Sequence, residues 1–562
     1  MGKKKGFKKE KDDNVIEVYN KMSKKNAVAL GIFAVAEALL YYAVTPTINL
    51  HNTGSWVWIL ASVFALMFCT MDFNSMRSAG RQFNDMPGHT KVSRILGFIP
   101  KVGIVVLILG AILSSQLINS SKYASLIDIS TGDFATDIIE SEDINDIALM
   151  DTDSARIIGE RTIGSLSEVV SQYEVSPNYS TIDYNGKPMK VASLEYAGFF
   201  KYMNNRKSGI PGYVLVDPVK NEAKYVELNK PIKYSPSAYF NNNLRRHVQF
   251  QYPFYEFYDF HLELDNEGNP YYICPVLTPN AGLFGAKDVK GIVICDPCTG
   301  DSEYMDVADV PQWVDRVYDG DLATAKYDWY GNLSGGYINS VIGNKGCKVT
   351  TDDYGYKVMG GDVWAYTGVT SVNGDKSNIG FVLMNLRTAE SKYYEIAGAE
   401  EHSAMSSAEG QVQHLGYVAS FPSLINIKGV PTYIMVLKDN AGLVKMYALV
   451  NVEKYSIVAT APTQREALTQ YKKLLAENEI ATSQDFSDDS LKTEKIDVVD
   501  IKFIAVEGDT FVYITDKKGN CYKQAFEENE QLILIQAGDK VTIQYIEEES
   551  GINTLVSIVK EK

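Results

Sequence analysis

The chain has 562 residues, of which 45% are apolar and 22% are charged. This composition suits several folded domains and excludes intrinsic disorder and collagen-like architecture. The charge is unevenly distributed, because residues 1–101 carry 14 Lys and Arg against 7 Asp and Glu, whereas residues 102–562 carry 40 against 63. A basic N-terminal part therefore precedes a large acidic part, and we expect no nucleic-acid-coating surface on the chain as a whole.

Three apolar runs lie within the first 118 residues, at 26–44, 55–71 and 102–118. Each is close to the ~17–25 residues that a helix needs to cross the hydrocarbon of a bilayer. A buried core helix of this length would show a polar stripe, of which these runs show almost none. The sequence therefore predicts three transmembrane helices. The alternative is one signal anchor followed by two buried core helices.

Lysine and arginine flank these runs unevenly. Residues 1–25 carry nine Lys and residues 72–101 carry five Lys and Arg, whereas the loop at 45–54 carries none. Positively charged segments remain in the cytoplasm. We therefore predict a plasma-membrane protein with a basic cytoplasmic tail at 1–25 and an extracytoplasmic region after residue 118.

One carboxylate lies inside the first apolar run. Glu37 is 11 positions into it, and a charge at that depth is costly unless it is paired, protonated or hydrated. The sequence predicts either a packing site, with a hydrogen bond to Ser62, Thr70 or Ser114 of a neighbouring helix, or an ion or proton site. The second interpretation would make the protein a small transporter or a sensor subunit.

The cysteines do not form a disulfide framework. Cys69 lies in an apolar run and leaves five in the remaining chain, an odd number for about 440 residues. Cys295 and Cys298 form a C-D-P-C motif, but GIVICDPCTGDSEYMDV is typical of a strand, a turn and a second strand. We interpret both as hairpin residues, oxidised together or not. A redox pair is the alternative.

That hairpin has two counterparts in the chain. Segments 212–228, 291–307 and 380–396 each begin with Gly, place Asp or Asn at offset 5 and return Tyr at offset 13. Asp and Asn initiate turns by accepting bonds from their own backbone. Hairpins that alternate with single helices predict α+β units in tandem, each with a helix on an antiparallel sheet. We place these regions at 119–290 and 291–475.

The turn sequences resemble a known module. ICDPCTGDSEY at 294–304, VDPVKNEAKY at 216–225 and the helix at 463–475, which begins with a capping box, are similar to the PepSY domain, a small extracytoplasmic module of peptidase propeptides and of bacterial membrane proteins. The overall plan resembles membrane proteins of Gram-positive bacteria. The resemblance implies binding or inhibition more than catalysis, and it transfers no functional residue.

The C-terminal part changes in composition. Residues 476–495 are polar and acidic and are predicted to be a linker. Residues 496–562 contain successive short apolar strands, and AGDKVTIQY at 537–545 resembles the strand entry of an OB-fold or SH3-like barrel. We predict a small β barrel that serves as a scaffold or in oligomerisation. Oligonucleotide binding is the alternative, which the excess of acidic residues disfavours.

Candidate binding and metal residues are few. The segment 247–264 is rich in Phe and Tyr, and it is either core or a binding surface for peptide side chains or sugar rings. The candidate partner-binding aromatics are Tyr252, Tyr255, Phe257 and Tyr258. Glu400, Glu401, His402 and His414 form at most a weak metal pattern, because His402 and His414 lie ~18 Å apart on a continuous helix. We predict no catalytic residue, no metal and no cofactor.

These patterns together favour a membrane-anchored extracytoplasmic protein of the bacterial envelope that binds or assembles a protein, peptide or glycan partner without catalysis. An envelope enzyme or a peptidase regulator is one alternative, and its sign would be a cleft with convergent, pKa-perturbed carboxylates. The transporter or sensor subunit that uses Glu37 is the other.

Overall fold

The computed structural model describes residues 24–71, 91–138, 147–372, 377–478, 480, 491–506, 509–526, 529–546 and 551–560. Most of the predicted basic tail, the loop at 72–90 and most of the predicted linker lie outside these residues. The chain forms two compact units, 1–471 and 472–562. We call the helices of residues 24–113 the bundle and the described residues of 114–471 the body.

The bundle contains three apolar helices: α1 (Lys24–Val44), α2 (Thr53–Cys69) and α3 (Lys91–Leu113). Two of them, over Asn26–Val44 and Val92–Leu113, are long and apolar enough to cross a membrane. The prediction of three such helices is thus confirmed only for two, because α2 has 17 residues. The coarser prediction of membrane-type helices at the N-terminus holds.

The third predicted helix is shifted toward the C-terminus relative to the helix in the structure. Helix α3 begins at Lys91 and ends at Leu113 instead of covering 102–118, so Lys101 lies inside the helix rather than at its end. The helix ends early because the body binds Ser114 directly, and a second helix begins at Gln116. The hydropathy of the sequence gives no indication of these long-range contacts.

The three helices run antiparallel to their neighbours. At the far end, Asn26 Nδ2 of α1 donates to the carbonyl of Met71, which follows α2, at 3.1 Å. Midway along the bundle, α3 approaches α2 at Gly103, where a Cβ would lie 2.4 Å from Leu60. The opposite ends of all three helices meet the body, as described below.

The body contains nine further α-helical segments: α4 Gln116–Ala124, α5 Phe134–Asp137, α6 Thr152–Gly164, α7 Ser167–Val170, α8 Phe199–Asn205, α9 Leu244–Gln251, α10 Gly320–Leu333, α11 Glu401–Gln411 and α12 Gln464–Glu477, the last of which runs into the second unit. Its strands, in chain order, are β1 Ile129–Thr131, β2 Tyr173–Val175, β3 Ser180–Asp183, β4 Pro188–Tyr196, β5 Ile210–Asp217, β6 Glu222–Ile232, β7 Glu256–Phe257, β8 His261–Leu264, β9 Pro270–Ala281, β10 Gly285–Cys295, β11 Ser302–Asp306, β12 Lys348–Thr350, β13 Gly355–Met359, β14 Asp362–Ser371, β15 Ser377–Asn378, β16 Gly380–Asn385, β17 Ser391–Tyr394, β18 Gly398–Ala399, β19 Val418–Ala419, β20 Ser423–Ile427, β21 Val430–Lys438, β22 Val444–Asn451 and β23 Val458–Ala461.

Four sheets make up most of the body. Sheet I has the order β2-β4-β5-β6 and sheet II the order β11-β10-β9-β7, with β3 and β8 paired to β4 and β9. Sheet III has the order β1-β17-β16-β14-β12, and sheet IV the order β19-β21-β22-β23. Strands β13 and β20 pair with β14 and β21, and β15 pairs with β18. Within these sheets β1 alone pairs in parallel, with β17.

The sheets pack on one another through both faces. In β10, Ile292 and Ile294 belong to the core shared with sheet III, whereas Val293 and Cys295 belong to the core shared with sheet I. Residues 363–366 of β14 alternate in the same way between sheets II and IV. Double-sided burial explains why these strands read as continuous apolar runs. The mixed α+β class is confirmed. The sheets, however, pack mainly on each other and not each on a single helix. Strand β10 also crosses the predicted boundary between the α+β regions 119–290 and 291–475.

The three similar segments form hairpins with one register. In each, the tyrosine of the second strand pairs with the residue two positions after the glycine of the first strand. A Cβ on the glycine would lie within 2.7 Å of the tyrosine side chain. The pairs are Gly212–Tyr225, Gly291–Tyr304 and Gly380–Tyr393. The offsets of glycine and tyrosine therefore follow from diagonal packing across the two strands.

The second unit is a closed barrel, as predicted. Its strands are β24 Leu491–Val506, β25 Asp509–Asp516, β26 Cys521–Ala525, β27 Lys540–Ile546 and β28 Ile552–Lys560. They close in the order β24-β25-β26-β28-β27, with β26 and β28 parallel. Alternate residues such as Val512, Ile514, Val541 and Ile543 are fully buried in its interior.

Candidate functional site

A groove of about 550 Å³ lies where sheet I meets the turns of sheet II. The partly exposed Tyr184 and Tyr271 contribute aromatic rings to its wall, behind which Tyr213 is buried, and Lys224 and Glu227 of β6 contribute charges of both signs. A concave surface with rings and a few polar groups suits a sugar ring or a peptide segment. We therefore treat this groove as the candidate binding site.

Two aspartate turns fix the rim of the groove. The Asp265 carboxylate accepts from the backbone N–H groups of Glu267, at 3.0 Å, and Asn269, at 2.7 Å. Asp296 accepts in the same manner from the N–H of Cys298 at 2.7 Å. Tyr213 ties one wall to the first turn by donating its hydroxyl to the Gly268 carbonyl at 3.0 Å. The groove is thus preformed by local turn chemistry.

The thiols near the groove are held in the protonated form. Burial, and then the charge of Asp296, raise the pKa of Cys298 and that of Cys295 to about 12. Cys298 Sγ donates to the Lys230 carbonyl at 3.2 Å, and both cysteines are free thiols. Because the thiolate is the reactive species, this pair lacks the electrostatic setting of a redox-active motif.

A second notable arrangement is a buried pair of carboxyl groups. Glu263 of β8 is fully buried and accepts from the backbone N–H groups of Asp315, at 2.7 Å, and Arg316, at 2.9 Å. Asp315 in turn accepts from the Asp183 N–H at 2.7 Å. Burial raises the pKa of both carboxyl groups, and the Glu263 charge raises that of Asp315 further.

This pair links three parts of the body rather than facing a cleft. It joins β8 of sheet II and the end of β3 of sheet I to the loop before α10, where Arg316 Nη2 donates to Asp319 at 2.6 Å. Asp315 is 1% exposed and Glu263 0%. Convergent carboxylates with perturbed pKa values were the expected sign of an enzyme, but here they lie away from the groove and from solvent.

The residues of the weak metal pattern diverge. Glu401 points inward and accepts from the Gly368 N–H at 2.6 Å and from the Thr351 hydroxyl at 3.1 Å, whereas His402 and His414 are exposed. Within the described parts of the chain, no group of three His, Cys, Asp or Glu side chains is arranged to hold a metal ion.

The four candidate aromatics lie mainly inside the body. Phe257 is buried between sheets I and II, and Tyr252 and Tyr255 pack against the same core with their rings stacked at 5.4 Å. Tyr258 is half-buried. The structure places the exposed rings of this segment at Phe250 and Phe254, which were not singled out. The Phe250 ring packs on Tyr41 and Tyr42 of α1, and the Phe254 carbonyl accepts from Asn49 of the loop that follows. Partner binding by the four predicted residues stays a prediction.

Helix α1 reaches the body through Tyr41 and Tyr42. The Tyr42 hydroxyl donates to Asn241 Oδ1 at 2.7 Å, and its carbonyl accepts from Arg246 Nε at 2.8 Å. The Arg246 guanidinium also lies over the Tyr42 ring, 4.6 Å from its centroid. Next to this contact the rings of Tyr41 and Phe250 stack at 6.0 Å.

The loop between α1 and α2 lies along the segment after α9. The Ile48 N–H donates to the Pro253 carbonyl at 2.8 Å, and Asn49 Nδ2 donates to the Phe254 carbonyl at 3.0 Å. Asn52, the N-cap of α2, donates to Glu256 Oε1 at 2.8 Å. Lys287 of β10 bonds the same carboxylate oxygen.

The end of α3 is bound by the tip of the β9–β10 hairpin. Ser114 Oγ accepts from the backbone N–H groups of Leu283, at 2.8 Å, and Phe284, at 2.9 Å. Both side chains also pack on Gly110 of α3. All three helices are therefore attached to the body at one end of the bundle, and we call these contacts the junction. Sequence reasoning missed Arg246 and treated Ser114 only as a possible partner of Glu37.

Glu37 lies within the bundle and is bonded to α2. The Ser62 hydroxyl donates to Glu37 Oε1 at 2.6 Å, and Ser62 is one of the three partners that the sequence suggested. Ser114, another of them, is instead used by the hairpin tip. The hydrogen bond joins α1 to α2 and is compatible with a packing role.

No protein-family model matches the chain, and no curated protein matches it significantly in sequence.

Proposed function

We propose that the chain is a membrane-anchored, non-catalytic binding or assembly protein of the bacterial envelope, whose groove holds a protein, peptide or glycan partner outside the cytoplasm. The observation that carries the proposal is the junction. Helices α1, α2 and α3 reach the body at Tyr42, Asn52 and Ser114, so the body extends rigidly from one end of an apolar bundle.

The same contacts support three membrane crossings. Helix α1 runs toward the body, α2 runs away from it and α3 runs toward it again. The three helices thus have the up-down-up arrangement of a helix bundle. The 17 residues of α2 lie at the lower limit for a spanning helix, ~17–25 residues. With the lysine-rich tail in the cytoplasm, the body lies on the opposite side of the membrane. The PepSY-like resemblance remains part of this proposal, supported by the turns at Asp217 and Asp296 and by the Thr463 cap.

A binding role follows from the groove's chemistry. Its rim is fixed by the turns of Asp265 and Asp296, its wall offers tyrosine rings, and its nearby thiols are protonated. These features favour holding a partner over transforming it. A polar partner with charged groups would meet Lys224, Glu227 and Lys230 at the open side.

The test combines topology with binding. Protease applied to intact cells should remove the body while cytoplasmic markers survive, and the purified full-length chain in nanodiscs should bind members of a panel of envelope glycan fragments and unstructured peptides. The double variant Lys224→Glu/Lys230→Glu should weaken that binding. Lys220→Glu, an exposed cation on the β5–β6 turn outside the groove, should not. Turnover of any panel member, or a body protected from protease, would overturn the proposal.

The junction also favours a second candidate, a sensor subunit. Because the body is bonded to all three helices, a change in the body would reach the hydrogen bond between Glu37 and Ser62. This candidate requires that Glu37→Gln abolish the protein's activity in cells, whereas the binding protein tolerates that substitution.

A further inference from the structure

We infer that the bundle-facing side of the body carries an apolar and cationic rim that lies in the headgroup layer of a leaflet rich in anionic phospholipid. The inference rests on the proposed membrane insertion of the bundle, and it adds a second surface of the protein that contacts lipid. The rim consists of two patches, one beside the end of α1 and one near the end of α3. The aromatic patch is Phe199, Phe200, Tyr239 and Phe240. The aliphatic patch is Ile338, Val341 and Ile342.

Hydrogen bonds fix the aromatic patch at the level of the end of α1. Tyr42 lies two residues before the end of α1 and donates to Asn241, the neighbour of Phe240 in the chain. Arg246 connects the same two places, because it donates to the carbonyls of Tyr42 and Phe240. The end of a spanning helix marks the boundary between hydrocarbon and headgroups. Phe240 is therefore held at that boundary.

The remaining rings extend outward from Phe240 along the surface. The Phe199 ring lies 6.2 Å from that of Phe240 and 5.8 Å from that of Phe200. Phe200 is 80% exposed, although it could have been polar at no cost to the core. Large rings that are exposed beside a helix end are the arrangement that membrane-interface belts use.

The aliphatic patch is fixed in the same way at the end of α3. Tyr123 of α4 donates its hydroxyl to the Ser114 carbonyl at 2.8 Å, and its ring meets Trp329 of α10 edge-on at 5.1 Å. Tyr337 packs against this cluster, and the chain then enters the π-helical turn Asn339–Gly343. Its apolar side chains point away from the core, with Ile342 80% exposed.

The charge pattern identifies the surface that these patches meet. The segments that carry the rim and its supports, 114–127, 197–210, 231–255, 279–287 and 329–351, contain ten Lys and Arg and no Asp or Glu. The chain as a whole has 70 acidic residues, and Glu256, Asp288 and Asp328 lie immediately outside these segments. Exposed cations lie near both patches in the chain, with Arg206 and Lys207 after Phe200, Lys345 after Ile342, and Lys122 next to the supporting residue Tyr123.

This combination favours anionic lipid as the occupant. Exposed apolar side chains next to cations bind the interface of anionic membranes by burial in the headgroup layer and by charge attraction. A protein partner would not need separate apolar patches near the ends of both α1 and α3. The absence of carboxylates in the five segments also has a reason here, because acidic side chains would be repelled by the lipid charge.

Tryptophan probes test the inference in the full-length chain. Phe200→Trp and Ile342→Trp place a fluorophore in each patch, and Tyr455→Trp is the control, because Tyr455 is 52% exposed between β22 and β23 of sheet IV, away from the junction. Each variant is assembled in nanodiscs of phosphatidylcholine and phosphatidylglycerol, with one lipid brominated to quench nearby tryptophan. The fluorescence of the parent, which has five Trp, is subtracted.

We expect both probes to be quenched and the control to be unaffected. At constant lipid composition, bromine on phosphatidylglycerol should quench about twofold or more as strongly as bromine on phosphatidylcholine, because the cations enrich the anionic lipid locally. Adding Arg206→Glu/Lys207→Glu to Phe200→Trp should remove that preference. Equal quenching by the two brominated lipids in the single variants Phe200→Trp and Ile342→Trp would overturn the inference that the rim binds anionic lipid.

A separate readout distinguishes this inference from the proposed function. A chain that resists extraction by alkaline carbonate, but whose probes are no more quenched than the Tyr455→Trp control, overturns the inference and leaves the anchor intact. A chain that carbonate releases from the membrane overturns the anchor and the inference together. Quenching confined to the two probes supports both.

Discussion

Arg246 Nε donates to the carbonyl oxygen of Tyr42, a residue 204 positions earlier in the chain, at 2.8 Å. A backbone carbonyl near the end of a helix lacks an intrahelical donor, and the guanidinium provides one. The same side chain bonds the Phe240 carbonyl and covers the Tyr42 ring. One arginine thus joins the first helix of the bundle to the body.

Arg246→Ala should loosen this contact. We expect faster hydrogen exchange of residues 41–50 in the full-length chain, and a smaller effect for Arg246→Lys, which keeps the charge but not the planar fork of donors. The control is Arg245→Ala, because Arg245 bonds only the carbonyls of Phe257 and Tyr258 within the body. Equal exchange in the Ala variants at both positions would contradict the role of Arg246.

Ser114→Ala should destabilise the first unit. The substitution leaves the N–H groups of Leu283 and Phe284 without their acceptor, and each such loss costs about 1–3 kcal/mol. Ser115→Ala is the matched control, because its hydroxyl only donates back to the Ile112 carbonyl. Thermal unfolding of the full-length chain in detergent measures both, and indistinguishable melting temperatures would contradict the prediction.

Gly291→Ala should also be destabilising. A Cβ at this position would lie 2.3 Å from the Met305 carbonyl oxygen and 2.6 Å from the Tyr304 hydroxyl, so the hairpin must shift, at a cost of about 1–3 kcal/mol. Gly410→Ala in α11 is the control. Nothing lies within 4 Å of its Cβ position, and we expect a gain of about 0.4–1 kcal/mol from the less flexible unfolded chain. Chemical unfolding measures both changes.

The buried carboxyl pair predicts a falling stability as pH rises. Burial raises the folded-state pKa of Glu263 and Asp315 above their unfolded values near 4. The folded chain therefore holds more protons than the unfolded chain above about pH 4, and the free energy of unfolding decreases by up to about 1.4 kcal/mol per pH unit and proton.

Asp315→Asn removes one of these titrating groups and keeps the acceptor for the Asp183 N–H. We expect a shallower loss of stability between pH 5 and 8 than in the wild type, and a more stable variant at pH 8. Glu303→Gln, at an exposed position of β11, should leave the slope unchanged. Denaturant titrations at each pH measure these slopes, and parallel curves for Asp315→Asn and the wild type would refute the assignment.

Glu37→Gln tests the packing interpretation of the bundle. A glutamine carbonyl still accepts from the Ser62 hydroxyl, so the melting temperature in nanodiscs should remain close to that of the wild type. Glu37→Ala and Ser62→Ala both remove the bond, and each should lower the stability by about 0.6–2 kcal/mol. An unchanged stability in all three variants would show that the bond contributes nothing to assembly.

Features with local causes could be predicted from the sequence. The hairpins were found because an Asp or Asn turn and a Gly–Tyr diagonal leave their own signature, and Asp296 accepts from Cys298 as the turn requires. The start of α12 was found for a similar reason, since Thr463 accepts from the Glu466 N–H. The closed barrel followed from regular short strands.

Features with long-range causes could not be predicted in this way. The end of α3 depends on the hairpin tip 169 positions later, and the polar residues at 114–116 do not by themselves show that a helix ends there. Glu263 and Asp315 are 52 positions apart and read as exposed charges, yet both are buried where sheets I and II meet. Only the acid-free stretches around the rim offered a signal in the sequence that was not used.

The two-residue step from α3 into α4 gives the chain no stalk between bundle and body. A domain on a single tether would rotate and tilt relative to the bundle, whereas attachment at Tyr42, Asn52 and Ser114 restricts both motions. The groove therefore keeps one orientation relative to the bundle, and any torque applied there is shared by all three helices.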